Sequence, residues 1–435
     1  MIRALTALFI LLAALPARAI DIQEVTSPGG ITAWLVEDHS IPFTALTIMF
    51  RGGATLEAEG KRGAMNLMTA TLEEGAGDMD ATAFAQAVEA LGASARFDLG
   101  DDALTVNARA LTENRDQAAD LLRLALTEPR FDQDAIDRVR GQVQAAIRSE
   151  ETDPQSIAAK ALARAAWGDQ PYGTSINGTA QSVAALTRDD LLDAKARVMA
   201  RDRVIVSAAG DINAEELGKL VDQVLGGLPA EGSVPLPQAQ NLELTGGTTI
   251  IDWDSPQTVA LFAAPGPAMG DDDYFAAFVA NHILGGGGFS SRLMDVIREK
   301  RGLTYGVSSN LVNGMLGDLW QGGMASANDK VAEGVGLIRA EWDRISHGVS
   351  EQELADAKTY LTGEYPLRFN GNGRIASILA GMQLVGLPRD YVNTRNDKVN
   401  AVSAADVARV ATKWLKSGDL RFVLVGRPEG VVASE

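Results

Sequence analysis

Leu186-Thr187-Arg188-Asp189-Asp190-Leu191 and Val402-Ser403-Ala404-Ala405-Asp406-Val407 decide how the chain is divided. In each stretch a hydroxyl residue stands just before the acids, ahead of a helical run. That is the chemistry of a helix N-cap, with carboxylates near the positive end of the helix dipole. Each helical run leads to a short strand, Arg203 to Ala208 in one copy and Arg421 to Val425 in the other, and then to a glycine, Gly210 or Gly426. Asp190 and Asp406 are 216 positions apart, as are Gly210 and Gly426. The chain is written twice.

Working outward, earlier elements also pair. Leu72-Glu73-Glu74-Gly75-Ala76-Gly77 resembles Leu284-Gly285-Gly286-Gly287-Gly288. The alternating strand Ala103 to Ala110 leads into a helix over about Arg115 to Thr127, stopped by Pro129. Its counterpart is the strand Leu319 to Ala325, followed by a helix whose Val331, Val335, Ile338, Trp342 and Ile345 recur at helical spacing. A second helix follows in each half. Ile136, Val139, Val143 and Ile147 form the stripe of one, while Ser350 and Glu353 form a capping box ahead of Leu354, Ala357 and Leu361 in the other. The proline- and glycine-bearing stretch between the copies has no apolar period and reads as a linker. The expected organisation is an export signal over 1–19, a first repeat over 20–228, a linker over 229–247 and a second repeat over 248–435. Strands and helices mix without the strict alternation of a parallel βαβ fold. The expected class is α+β: two homologous halves, each a largely antiparallel sheet with helices packed on it, enclosing a cleft.

Bulk properties narrow the function. Arg3, the apolar run Leu5 to Leu15 and Ala17-Arg18-Ala19 have the form of a secretory signal cleaved after Ala19. The run is too short for a spanning helix, and no other stretch is long and apolar enough. The expectation is an exported, periplasmic protein with no membrane span; an uncleaved anchor is the alternative. The net charge of −18 becomes −20 without Arg3 and Arg18, which disfavours a phosphate backbone, so no nucleic-acid partner is expected. There are no cysteines, which excludes disulfides, thiolate metal sites and a cysteine nucleophile.

Several motifs occur in order along the mature chain. Arg51-Gly52-Gly53-Ala54 follows a β-rich run, and Gly60-Lys61-Arg62-Gly63-Ala64 opens a helix. Later come Asn281-His282-Ile283-Leu284-Gly285-Gly286-Gly287-Gly288-Phe289-Ser290-Ser291-Arg292-Leu293 and Leu303-Thr304-Tyr305-Gly306. Together they resemble the pitrilysin, insulysin and mitochondrial-processing-peptidase family of inverted zinc peptidases, and match best its short bacterial members with two repeats per chain. In active members the resemblance implies H-x-x-E-H on the helix after the Gly-x-x-Gly region. Two imidazoles at i and i+4 share a helix face and grip zinc, and the glutamate activates the metal-bound water. Aligned on Gly63-Ala64, this chain places Met65, Met68 and Thr69 at those positions; aligned back from Asp153-Pro154, the family's distal glutamate falls on Ala146. A thioether is a poor zinc ligand and carries no proton for acid–base work. The only histidines are His39, His282 and His347, too far apart in sequence for a local pair. Met65, Leu67, Met68 and Leu72 read as a buried helix face. His39 and His282 read as surface or loop residues and His347-Gly348 as a turn.

The second half keeps a different motif. Arg298-Glu299-Lys300-Arg301-Gly302-Leu303-Thr304-Tyr305 is similar to the family's arginine–tyrosine pair, whose members contact substrate and stabilise the tetrahedral intermediate across the cleft from zinc. Phenol and guanidinium both donate hydrogen bonds to a developing oxyanion. Arg298 and Tyr305 are the candidate functional residues, with Arg301 the competing arginine. The alternative is a solvated helix charge and a strand aromatic. Gly285 to Gly288 fails the phosphate-loop spacing and reads as a hinge or substrate-facing loop. Ser290 and Ser291 lack plausible partners for a serine hydrolase. The resemblance implies a zinc-free subunit with no cofactor of its own, pairing with a homologous zinc-binding peptidase subunit to act on unfolded peptides. A non-enzymatic peptide-binding or assembly protein is the alternative.

Overall fold

The computed structural model describes residues 20–434. The expected export signal over 1–19 lies outside them. The first half runs β1 (Gln23–Thr26), β2 (Thr32–Glu37), β3 (Phe43–Arg51), α1 (Ala64–Thr71), the small hairpin β4 (Gly75–Ala76) and β5 (Met79–Asp80), α2 (Ala81–Ala90), β6 (Ser94–Leu99), β7 (Ala103–Leu111), α3 (Arg115–Thr127), α4 (Gln133–Thr152), α5 (Pro154–Trp167), α6 (Ala180–Ala184), α7 (Arg188–Val198), β8 (Val204–Gly210) and α8 (Ala214–Leu225). The second half runs β9 (Gly247–Asp252), β10 (Gln257–Pro265), α9 (Tyr274–Asn281), β11 (Thr304–Asn313), β12 (Asp318–Ala327), α10 (Val331–Arg344), α11 (Glu351–Glu364), α12 (Asn372–Leu384), α13 (Tyr391–Ala401), α14 (Ala404–Trp414) and β13 (Arg421–Gly426).

The two sheets share one plan. Their strand orders are β1-β2-β8-β3-β7-β6 and β11-β12-β10-β13-β9. All pairings are antiparallel except β2 with β8 and β9 with β13. The repeated helices α7 and α14 begin and end 216 residues apart, and both open with a full capping box, Thr187 with Asp190 and Ser403 with Asp406. The glycines that close the following strands match as well. Gly210 has φ of +123°, and a Cβ there would stand 2.3 Å from the Phe43 carbonyl; Gly426 has φ of +151° and would meet Thr258 at 2.4 Å. Only glycine tolerates both the backbone angle and the close approach.

Each sheet buries one face under its own helices. The expected stripes do this work: Ile136, Val139, Val143 and Ile147 of α4 enter the first core, and Val331, Val335, Ile338 and Trp342 of α10, with Ile345 just beyond it, enter the second. The strands β8 and β13 are buried along almost their whole length. A strand buried on both faces needs cover on both, and here each half supplies the other's second cover. From the second half, α12 lies on β8 and β3, where Ala376 meets Ala45 and Ala209, and Ser207 Oγ donates to the Ala376 carbonyl at 2.7 Å. From the first half, α5 lies on β10 and β13, where Ala158 and Leu162 meet Ala263, Val423 and Val425. At the α12 contact three alanines let helix and sheet approach closely. This reciprocal exchange fixes the two halves against each other and sets the cleft between them.

Candidate functional site

The helix α1 shows where a metal centre would have to be. It starts at Gly63, in the left-handed region with φ of +98° and no side-chain cap of its own. The cap comes from Glu57, whose carboxylate accepts from the N–H groups of Gly63 at 2.8 Å and Met65 at 2.7 Å and from Arg62 at 2.9 Å. These groups offset the cost of burying Glu57, whose pKa burial nonetheless raises, against the opposing pull of Arg62. Arg62 also donates to the carbonyls of Ala54, Ser175, Pro171 and Thr174. The Gly60-to-Ala64 segment is thus pinned by one arginine.

Met65 and Met68 are 0% exposed and Thr69 is 2% exposed. Both methionines belong to the first core, and the buried Thr69 hydroxyl donates back to the Met65 carbonyl at 2.8 Å. The packing role expected for the methionines is what the fold uses. Their assignment to the ligand and base positions needs correction, because a metal pair has to share the accessible face of the helix. On α1 that i, i+4 pair is Asn66, half-buried, and Ala70, exposed. The register of the resemblance moves by one residue. Ala146 is exposed on α4, one turn before Glu150 and on the same side of that helix. An amide relay links the two helices here. Asn66 Nδ2 donates to Asn177 Oδ1 at 2.8 Å, Asn177 Nδ2 donates to Glu150, and Lys160 pairs with Glu150 at 2.8 Å. Two amides, an alanine and an already paired carboxylate do not fit a zinc ion. Among the described residues no group of three or more His, Cys, Asp and Glu is placed to hold a metal.

Arg298 and Tyr305 are brought together. Arg298 lies in the π-helical turn Met294–Glu299, and Tyr305 lies at the start of β11, inside a register shift between Thr304 and Val307. The irregularity throws the tyrosine outward, and it is 89% exposed. Both side chains line one open cavity of about 480 Å³ with Gln257 and Lys330. The Arg298 guanidinium sits 4.6 Å over the Phe289 ring and bonds to Glu299. Arg301 is occupied elsewhere, with Glu333 at 3.2 Å and the Val296 carbonyl at 3.1 Å.

A larger cleft of about 1050 Å³ lies between the halves. One wall is the end of β6 and the β6–β7 turn, with Asp98, Asp101 and Asp102; the other is β11 and β12 with Asn310, Asn313 and Gln321. No lysine or arginine is among its lining residues. Tyr172 ties the walls together. Its hydroxyl donates to Asp102 and accepts from Leu316 N–H at 3.3 Å, while Asp102 also accepts from Met315 N–H at 3.1 Å. Burial and the Asp102 carboxylate push the Tyr172 pKa up strongly. Strands β6 and β11 are both sheet edges, so unpaired backbone groups border the cleft. Strand β11 runs from Tyr305 at its start to Val312 and Asn313 in the cleft wall.

Two other expectations change. His282 is a buried residue, not a surface one: it follows α9, stacks on Tyr360 at 5.0 Å, and burial lowers its pKa. The glycine run is not simply a loop. Gly285 and Gly286 complete the π-helical turn His282–Gly286, and a Cβ on Gly285 would stand 2.8 Å from Ser309 N. The run lets this helix pack onto β11, while Gly286 and Gly288 reach the surface. His39 is exposed as expected and bonds to Asp211 at 2.7 Å.

Two family models cover most of the described residues. Insulinase (peptidase family M16) matches residues 33–180, and the peptidase M16 inactive domain matches 185–361. The chain belongs to the M16 peptidase family. A protein named non-peptidase homolog YmxG, from Helicobacter pylori, is 26% identical over 412 residues, covering 94% of this chain and 95% of its own length. The mitochondrial-processing peptidase subunit beta of Neurospora crassa is 26% identical over 341 residues, covering 74% of this chain and 71% of that protein. A crystal structure of a peptidase M16 inactive domain from Pseudomonas fluorescens superposes with a TM-score of 0.87 at 26% identity, covering 95% of this chain and 99% of that one. The two-half α+β plan is therefore the M16 fold. In this M16 chain the helix face that would carry the metal pair presents Asn66 and Ala70.

Proposed function

We propose that this chain is the zinc-free subunit of an exported, periplasmic heterodimeric peptidase. It supplies Arg298 and Tyr305 to unfolded peptide held at the zinc of a homologous partner subunit. The observation that carries the reading is an asymmetry: Arg298 and Tyr305 line one open cavity, while the α1–α4 face has no imidazole. A phenol and a guanidinium placed together can orient a peptide carbonyl and stabilise an oxyanion, but they cannot activate water as a metal does. The exposed Tyr305 hydroxyl donates to the oxyanion, and Arg298, held over Phe289, fixes the peptide backbone. Mixing the purified chain with an H-x-x-E-H homologue from the same cell and measuring peptide cleavage tests this. Cleavage is expected only from the mixture. Tyr305→Phe or Arg298→Ala in an assembled complex should lower kcat about 100-fold, the scale of losing one oxyanion donor. Full activity from both variants would refute the role.

A second reading is a peptide-binding or assembly protein without catalysis. The similarity to a protein named a non-peptidase homolog favours it. Copurification without any H-x-x-E-H partner, together with tight peptide binding, would select it.

A further inference from the structure

A separate cavity of about 730 Å³ lies on the flank of the first sheet, where it meets the C-terminal end of α12 from the second half. Its lining includes Trp34, Arg51, Arg201 and Arg203 from the first half and Gln383 and Leu387 from the second. Three arginines share this lining with one carboxylate, Asp202, which pairs with Arg203 alone among them. This is a local excess of positive charge in a chain whose net charge is −18.

The three arginines are not equally engaged. Arg203 is fully committed: it grips Asp202 at 3.0 and 3.1 Å, and donates to the Val234 carbonyl at 3.0 Å. Arg51 donates one N–H to the Gln383 carbonyl at 2.8 Å, which reaches across to the other half, and meets no carboxylate among the described residues. A cation near the last turn of α12 is favourable in itself, so that contact alone needs no ligand. Arg201 differs. Among the described residues its side chain has neither an ion pair nor a hydrogen-bond acceptor, and its Nε is shut off from solvent. That nitrogen is closed to the cavity, so only the two terminal amino groups of Arg201, which have no acceptor among the described residues, are open to a ligand.

We propose that this cavity is an oxyanion site, binding a phosphate or carboxylate group between Arg201 and Arg51. The terminal amino groups of Arg201 offer two N–H donors side by side, the geometry that phosphate and carboxylate oxygens accept. Arg51 supplies a second charge while its other arm stays on Gln383. The bound anion sits at the seam of the two halves and stabilises their packing. This proposal stands apart from the peptidase reading, since no partner subunit enters it.

Titration of the purified chain with inorganic phosphate, and separately with citrate, tests it by calorimetry, with sodium chloride of equal ionic strength as control. Saturable binding of at least one anion at one site per chain is expected, with no response to chloride. The two titrations distinguish a phosphate site from a carboxylate site. Arg201→Ala should weaken the binding by about tenfold or more, a change of about 1.4 kcal/mol. Arg51→Gln should weaken it too, which guards against a folding defect in either variant. The proposal is overturned if neither anion binds saturably, or if both variants bind as tightly as the parent.

Discussion

Rebuilding a metal pair on α1 tests where its functional face lies. Two designs differ by one residue in register. The first combines Asn66→His and Ala70→His, the second Met65→His and Thr69→His, each with Ala146→Glu. Ala70 and Ala146 are exposed, and Asn66 makes one side-chain hydrogen bond, to Asn177. The first design therefore loses about 1 kcal/mol for that bond and about 0.5 kcal/mol of helix propensity. Met65 is 0% exposed. Replacing it by histidine forfeits about 2 kcal/mol of apolar burial and adds about 1–3 kcal/mol for an imidazole without partners. Against a typical stability of about 5–15 kcal/mol, the second design should melt roughly 10 °C lower. Zinc should bind only the first. At a hundredfold excess over its Kd, zinc returns about 2.7 kcal/mol, so its melting temperature should rise above that of the metal-free variant. Thermal melting with and without zinc, and metal content after dialysis, read both effects. A second design that melts like the parent and retains zinc, beside a first design that does not, would refute the register drawn from the fold.

Three further outcomes follow from the packing. Arg62→Met strips Glu57 of its cation and four carbonyls of their donor; a loss of about 3–5 kcal/mol is expected in denaturant unfolding, and a loss under 1 kcal/mol would contradict the pinning role. Tyr172→Phe removes the hydroxyl that joins Asp102 to the Leu316 N–H across the cleft. Stability should fall by about 1–3 kcal/mol, and amide exchange should quicken at Met315 and Leu316; unchanged exchange there would show that the contact does not hold the walls together. Glu353 is held at a pKa of about 2, chiefly by the hydrogen bond from Arg292, with Ser350 assisting. Its depressed pKa means this stability is present above its ordinary value near 4.5 and is lost as pH falls towards 2. Because Glu353 is about a third exposed, the contribution is about 1 kcal/mol, and Glu353→Gln should flatten the acid limb of the melting curve between those pH values.

How much of this was legible in the sequence depended on the range of the interaction that carried it. Capping boxes span three residues, so Thr187–Asp190, Ser350–Glu353 and Ser403–Asp406 could be read directly, and with them the repeat. Helical stripes span a few turns, and those of α4 and α10 went to the core as their spacing required. The cap on α1 was not legible. It comes from Glu57, six residues before Gly63 and outside any capping-box spacing, and it depends on Arg62 being held by a segment more than a hundred residues away. The helix exchange was half legible. The near-continuous apolar character of β8 and β13 asks for cover on both faces, but nothing local says that α12 and α5 provide it.

The one-residue difference on α1 has a specific cause. Counting from Gly63-Ala64 fixes a position along the helix but not the direction in which a side chain points. Met65, Leu67, Met68 and Leu72 are all fully buried, and they wrap a wide face. Only Asn66 and Ala70 are left to look outward, so the stripe itself contains the correction once burial is asked of every position. With the face located, the core and the accessible surface where a metal pair would have to stand are separate sides of one helix. The methionines are then ordinary core residues and need no history of replacing ligands. Asn66 and Ala70 stand on the accessible side of the helix, where substitution costs little stability. The absence of imidazoles there leaves the core, the cleft and the Arg298–Tyr305 cavity untouched. That is why a chain without imidazoles on α1 can still carry the rest of the M16 fold intact.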